Sequence, residues 1–197
     1  MKSMNRFKFF AFITLAWIAF TTSFSSAFAF VEVGANANYR RSAFDSNNFQ
    51  ELLSYTASIS YYFMEMSAIE LSYTNGYSEI SAKASAPSDP LYVNQTNFQL
   101  LALDLVVSFA EREDFFQPYI KMGAGYLKKD DFEQVGGSDN NLIAHSEGLV
   151  PSGGVGFRLM MTRAFAIKFG LDAWTTPLHQ DPVVVDFAGY AGVSWLF

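Results

Sequence analysis

The feature that most limits how this chain can fold is an alternation of period two that begins at Val31 and occupies eight stretches. In V-E-V-G-A-N-A-N-Y-R, Val31, Val33, Ala35, Ala37 and Tyr39 share one face, and Glu32, Gly34, Asn36, Asn38 and Arg40 share the other. Side chains of a β-strand point alternately to its two faces, so this pattern reads as a strand between two different environments. Leu53, Tyr55, Ala57, Ile59, Tyr61 and Phe63 oppose Ser54, Thr56, Ser58, Ser60 and Tyr62. Ile69, Leu71 and Tyr73 oppose Glu70, Ser72 and Thr74; Leu101, Leu103, Leu105, Val107 and Phe109 oppose Ala102, Asp104, Val106 and Ser108. Ile120, Met122, Ala124 and Tyr126 oppose Lys121, Gly123 and Gly125, and Val155, Phe157 and Leu159 oppose Gly154, Gly156 and Arg158. Phe165, Ile167, Phe169, Leu171 and Ala173 oppose Lys168, Gly170 and Asp172. Val185, Phe187, Gly189, Ala191, Val193, Trp195 and Phe197 oppose Asp186, Tyr190, Gly192 and Ser194.

Connection lengths alternate too. Short polar turns are expected near 64–67, 110–114 and 161–163, and longer loops near 42–50, 75–95, 128–148 and 175–182. Short turns at one end and long loops at the other predict an up-and-down meander of an even number of strands, the asymmetry of outer-membrane barrels. Pro118 suits an early position in the fifth strand, where a missing donor costs little, and Pro151 is expected at the outer rim or at a bulge.

Alternation does not say which face is inside. A lipocalin-type barrel turns its apolar face inward, and a membrane barrel turns it outward. An eight-stranded barrel is barely wide enough for filling side chains. One face here carries Tyr, Phe, Trp, Leu and Ile, and the other is rich in Gly, Ser, Ala and Asn. Bulk therefore belongs outside. Composition agrees: half of the residues are hydrophobic, 17% are aromatic and only 16% are charged, against about 25% charged in an average globular chain. The absence of cysteine excludes a disulfide framework, a Cys-ligated zinc site and a thiol nucleophile. The net charge of −6 argues against a nucleic-acid partner.

The first residues read as an export signal. Lys2, Arg6 and Lys8 form a basic start, Phe9–Phe20 a short apolar run, and Ala27-Phe28-Ala29 a small-x-small cleavage site. A membrane anchor is the alternative, but a twelve-residue, almost wholly apolar run is too short to span a bilayer. Residues 1–29 are thus expected to be a cleaved signal peptide, with cleavage after Ala29 or, second, after Ala27, leaving 30–197 as the barrel domain. The segment takes three bases and no acid with it, so the net charge falls from −6 to −9. No later run of eighteen apolar residues offers a membrane helix.

The last eight residues, Tyr190 to Phe197, end in an aromatic, with Trp195 two residues before it and Gly192 five before it. This ending resembles the assembly signal of outer-membrane barrels, carried here by Tyr190, Gly192, Trp195 and Phe197. Phe116-Gln117-Pro118-Tyr119-Ile120-Lys121-Met122-Gly123-Ala124-Gly125-Tyr126 resembles the PY-x-x-x-GxGY fifth strand of small eight-stranded barrels of the OmpA/OmpX type. Tyr62-Phe63 with Ala68-Ile69-Glu70-Leu71 is similar to a hairpin of OmpW-like barrels. The resemblance implies an all-β, eight-stranded antiparallel transmembrane barrel in the cell outer membrane, with both termini in the periplasm. It also implies outer-membrane lipid and lipopolysaccharide as surroundings, and barrel-assembly machinery and periplasmic chaperones as partners in biogenesis. The protein is expected to be a monomer, with no nucleic-acid partner and no cofactor.

Eight charged residues fall on the inward parity: Glu32, Arg40, Glu70, Asp104, Lys121, Arg158, Lys168 and Asp172. Unpaired charge in a narrow lumen is expensive, so mutual pairing into a plug is expected. A charged path for water or small ions, as in an OmpW-like narrow channel, is the alternative. Some eight-stranded barrels are lipid A acyltransferases or deacylases that use a His/Ser/acid set. His145-Ser146-Glu147 holds the residue types, but neighbours in a strand face opposite ways, and His179 lies in a segment without serine. No catalytic set is therefore assigned. The acidic stretch Lys128–Glu133 through Asp139-Asn140-Asn141 lacks EF-hand spacing, and no metal site is assigned to it. Tyr39, Tyr55, Tyr61, Phe63, Tyr73, Phe109, Tyr126, Trp174, Trp195 and Phe197 lie near strand ends and are expected in two aromatic girdles.

Overall fold

A computed structural model of the protein describes residues 30–43, 49–83, 91–135, 141–178 and 185–197. The expected signal segment, with Ala27 and Ala29, lies outside them. The strands follow in chain order: β1 (Phe30–Ala43), β2 (Phe49–Met64), β3 (Ser67–Lys83), β4 (Leu91–Ser108), β5 (Phe116–Val135), β6 (Asn141–Met160), β7 (Phe165–Thr175) and β8 (Val185–Leu196). Each pairs antiparallel with its sequence neighbours, and β8 pairs with β1 to close the ring. The eight-stranded up-and-down barrel expected from the alternation is the observed fold, and the described residues contain no helix. The chain's last residue completes the closure. Phe197 N donates to Val31 O at 2.8 Å, and Val31 N donates to Phe197 O at 3.2 Å.

Three tight connections lie at the end that carries Phe30 and Phe197. Glu65–Met66 joins β2 to β3, 109–115 joins β4 to β5, and 161–164 joins β6 to β7. Side chains brace the last two. Glu111 N donates to Asp114 Oδ2 at 3.0 Å, and Phe165 N donates to Thr162 Oγ1 at 3.0 Å.

The opposite end departs from expectation. The segments 75–95 and 128–148 are mostly strand, not loop: β3 continues to Lys83, β4 begins at Leu91, β5 reaches Val135 and β6 begins at Asn141. The segment 42–50 contracts likewise, because β1 runs to Ala43 and β2 begins at Phe49. The cause is the loss of a second environment. A strand with water on both faces keeps its ladder but has no reason to alternate. β7 stops at Thr175 and β8 starts at Val185, while β1 beyond Asn38 and β6 before Ser152 have no partner on β8 or β7 among the described residues, so β1–β6 project past those two strands as one sheet.

The outward faces show where that change occurs. Ala57, Tyr73, Leu101, Tyr126 and Leu149 form one lateral row of exposed, mainly apolar side chains. In the next row are Tyr55, Asn75, Gln99, Lys128 and Glu147. Apolar surface thus gives way to polar within one row. At the other end Phe63, Phe109, Phe116, Trp195 and Phe197 are exposed. The interval from Phe109 to Leu101 matches the roughly 9–11 residues that a membrane strand needs. Nine of the ten expected girdle aromatics face outward. Trp174 does not: it is 6% exposed and points inward, because it continues the parity of Lys168, Gly170 and Asp172.

Pro118 is the third residue of β5, opposite Phe157. Pro151 lies within β6 opposite Ala124, and the register shift of that ladder falls elsewhere, at Asp131/Phe132. The β6–β7 ladder begins at Ser152, so Pro151 stands where β6 loses its second neighbour. A missing donor is tolerated there.

Candidate functional site: the barrel lumen

The inward side chains form four successive layers. At the short-turn end Phe30, Tyr62, Ala68, Val106, Tyr119 and Leu196 pack as an apolar floor. Phe30 and Tyr62 stack with ring centroids 4.2 Å apart, and the Arg112 guanidinium covers the Phe30 ring at 3.8 Å. Gln117, also inward, fastens the β4–β5 turn by donating to Arg112 O at 2.8 Å and Asp114 O at 3.1 Å.

Above the floor lies a chain of ion pairs with alternating sign. Arg158 Nη1 is 2.9 Å from Glu32 Oε2, and Lys168 Nζ bridges Glu32 Oε1 at 3.2 Å to Glu70 Oε2 at 3.5 Å. Lys121 Nζ then bridges Glu70 Oε1 at 3.5 Å to Asp172 Oδ1 at 3.0 Å. These six groups come from β1, β3, β5, β6 and β7, so the chain ties together strands that are not neighbours. Neutral donors occupy other carboxylate lone pairs: Tyr62 hydroxyl donates to Glu32 Oε2 at 2.6 Å, and Ser60 hydroxyl to Glu70 Oε2 at 2.9 Å. Arg158 also donates to the Tyr62 hydroxyl.

Glycines make room for contacts that skip one strand or two. In one row Tyr119, Gly156, Gly170 and Tyr190 are consecutive partners on β5 to β8. The two tyrosine rings lie over the two glycines, and their hydroxyls hydrogen-bond to each other. A Cβ on Gly156 would stand 2.8 Å from Tyr119 Cζ, and one on Gly170 2.6 Å from Tyr190 Cζ. The rings also shield the cations: Arg158 Cζ and Lys168 Nζ lie 5.1 and 5.6 Å from the Tyr119 centroid. Gly154 separates Lys121 from Asp172 in the same manner, and Gly123 separates Asp104 from Ser152, whose hydroxyl donates to Asp104 Oδ1 at 2.6 Å.

The third layer is hydroxylic. Asn38 Nδ2 donates to Ser54 Oγ at 2.8 Å, and the Thr56 and Thr74 hydroxyls bond at 2.8 Å. A cavity of about 20 Å³ lies among Asn38, Thr56, Ser72, Thr74, Asp104 and Ser152. The fourth layer is apolar again: Leu52, Phe98, Leu100, Ala102, Leu127, Val150, Trp174 and Ala188, with Phe98 and Trp174 rings 5.7 Å apart.

Seven of the eight expected lumen charges are inside, and six form the ion-pair chain. Arg40 is not among them. It lies on the inward parity but is exposed, because it pairs with Leu52 of the outermost apolar layer and its long side chain reaches past that layer. The charges pair into a plug as expected, but apolar layers close the interior at both of its ends. Inward-facing apolar residues beside outward-facing ones, as in Phe98-Gln99-Leu100-Leu101, are the signal in the sequence that marks the outer cap. The Tyr119–Tyr190 contact has no such signal, because it depends on register between strands far apart in the chain.

Among the four residues of the C-terminal motif, Tyr190 and Gly192 face inward, while Trp195 and Phe197 face outward. His145 Nδ1 lies 2.5 Å from Asp130 Oδ1, and its Nε2 lies 3.9 Å from Glu147 Oε2, both on the exposed face of the projecting sheet. Ser146 between them is buried on the other face. His179 and 139–140 lie outside the described residues. Lys128–Glu133 is part of β5, where Thr96 hydroxyl donates to Asp131 Oδ1 at 2.5 Å. No group of three or more metal-ligating side chains occurs among the described residues.

No protein-family model matches the chain, and no curated protein matches it. Solved structures do. The N-terminal β-barrel domain of Pseudomonas aeruginosa OprF superposes with a TM-score of 0.53 at 19% identity, covering 85% of this chain and 97% of that one. Neisserial surface protein A gives 0.53 at 16% identity, with coverage of 86% and 97%. The outer membrane protein OprG of Pseudomonas aeruginosa gives 0.55 at 15%, with coverage of 87% and 96%. At such identities the likeness is one of fold. The chain has the fold of the small eight-stranded outer-membrane β-barrels.

Proposed function

We propose that the protein is a sealed outer-membrane barrel that acts structurally or by surface interaction, through the sheet that β1–β6 project beyond the bilayer. The observation that carries this reading is the lumen: a continuous ion-pair chain between two apolar layers, with a cavity of about 20 Å³ beside Asp104 and one of about 10 Å³ beside Arg158. A hydrated ion needs a wider continuous path. The apolar belt, the likeness in fold to outer-membrane barrels and the signal-like first 29 residues support export to the outer membrane. In that orientation the short turns and both ends of the barrel domain face the periplasm, and the projecting sheet faces the medium. Lipopolysaccharide and phospholipid then surround the belt, and assembly machinery and periplasmic chaperones handle the chain before it closes.

Planar-bilayer recording tests the sealed lumen. The purified protein is expected to leave the bilayer non-conducting. Reproducible single channels that Lys121→Ala or Arg158→Ala alters would establish an OmpW-like narrow channel instead. We also read the barrel as non-catalytic, because Ser146 faces away from His145 and Glu147. A change in lipid A mass on expression would contradict that.

A further inference from the structure

Among the described residues, the lumen holds one more acid than its bases match. Arg158, Lys168 and Lys121 are shared among Glu32, Glu70 and Asp172, while Asp104 forms no ion pair with any described residue. It is 3% exposed, and its hydrogen bond from Ser152 is a neutral one. A carboxylate in a closed, poorly solvated space is costly without a counter-charge.

Asp104 borders the hydroxylic cavity, whose volume of about 20 Å³ exceeds the roughly 10–15 Å³ that a water-sized occupant requires. The remaining side-chain oxygens around it come from Asn38, Thr56, Ser72, Thr74 and Ser152 and from Asp172, whose charge is matched by Lys121 at 3.0 Å. Asn38 is buried, uses its Nδ2 on Ser54, and leaves Oδ1 without a partner among the described residues. Lys121 also borders the cavity, but its ammonium is held by Asp172 and Glu70. The site therefore offers hard oxygen donors and one unmatched negative charge.

We propose that this cavity binds one small monovalent cation of the size of Na⁺, with Asp104 as its anionic ligand and the neutral oxygens completing its shell. One positive charge neutralises the lumen. A divalent ion would over-correct it, and an organic cation such as choline is too large for the space.

The test is urea unfolding and refolding of the purified protein in detergent, with Na⁺ exchanged for choline at constant ionic strength. Because the protein folds in each salt mixture, slow exchange from a sealed lumen does not obscure the result. The folding equilibrium constant is expected to rise with Na⁺ and to approach tenfold per tenfold Na⁺ once the concentration exceeds the dissociation constant. Asp104→Asn is expected to abolish that dependence. If the variant does not fold, Asn38→Ala is expected to move the half-effect to higher Na⁺. Equal stability of the wild type in Na⁺ and choline would overturn the proposal and assign the neutralising charge to a proton. Retention of the full Na⁺ dependence in Asp104→Asn would overturn it too.

Discussion

Lys168 holds two carboxylates, Glu32 at 3.2 Å and Glu70 at 3.5 Å, with one ammonium. Neither acid can turn to water, since both are buried. The worth of such a pair is not its Coulomb attraction alone, which desolvation largely offsets, but the penalty for breaking it. Lys168→Met is thus expected to cost about 3–5 kcal/mol, read as a lower urea midpoint with an unchanged slope. A loss below about 1 kcal/mol, the value of an exposed pair, would show that water reaches the lumen. Much of this was legible in the sequence, because parity places Glu32, Glu70, Asp104, Lys121, Arg158, Lys168 and Asp172 on the inner face. Arg40 and Trp174 were not. Both stand where a strand leaves the bilayer, so parity and residue type point in opposite directions: Arg40 follows its charge to water, and Trp174 follows its parity into the outer cap.

At the scale of one strand, β4 runs from water into the belt along its outward face. Gln99 lies in the polar row, Leu101 in the last apolar row, and Leu103 deeper, with 56% of its surface exposed. In a soluble protein a charge at such an exposed site is harmless, while in a lipid-facing strand its cost depends on depth. Leu103→Arg is expected to destabilise the barrel by about 2–4 kcal/mol and Gln99→Arg by about 0–1 kcal/mol, measured by unfolding in lipid vesicles. Equal, small effects would contradict a membrane-embedded β4. The same strand shows why the element ends were hard to read. Below Gln99 the environments on its two faces differ and the residues alternate. Above it both faces are wet, and Asn94, Gln95, Thr96 and Asn97 look like a loop although they pair residue by residue with β3 and β5. Projections of this kind are written in register, not in periodicity.

For the whole molecule, the account rests on a reversal of the usual globular order: bulky apolar side chains outside, and charge, glycine and hydroxyls at the centre between two apolar caps. The aromatic excess of the sequence is therefore surface, and the barrel's narrow interior is filled, not hollow. The absence of cysteine allows this to be read directly. Single cysteines placed from Leu100 to Val107 in the protein reconstituted in vesicles, each carrying a spin label, report contact with lipid-soluble oxygen and with a water-soluble nickel complex. Positions 101, 103, 105 and 107 are predicted to be accessible to oxygen but not to nickel, and 100, 102, 104 and 106 to neither. Nickel access at the even positions would show an open lumen, and the opposite parity would place the apolar face inside.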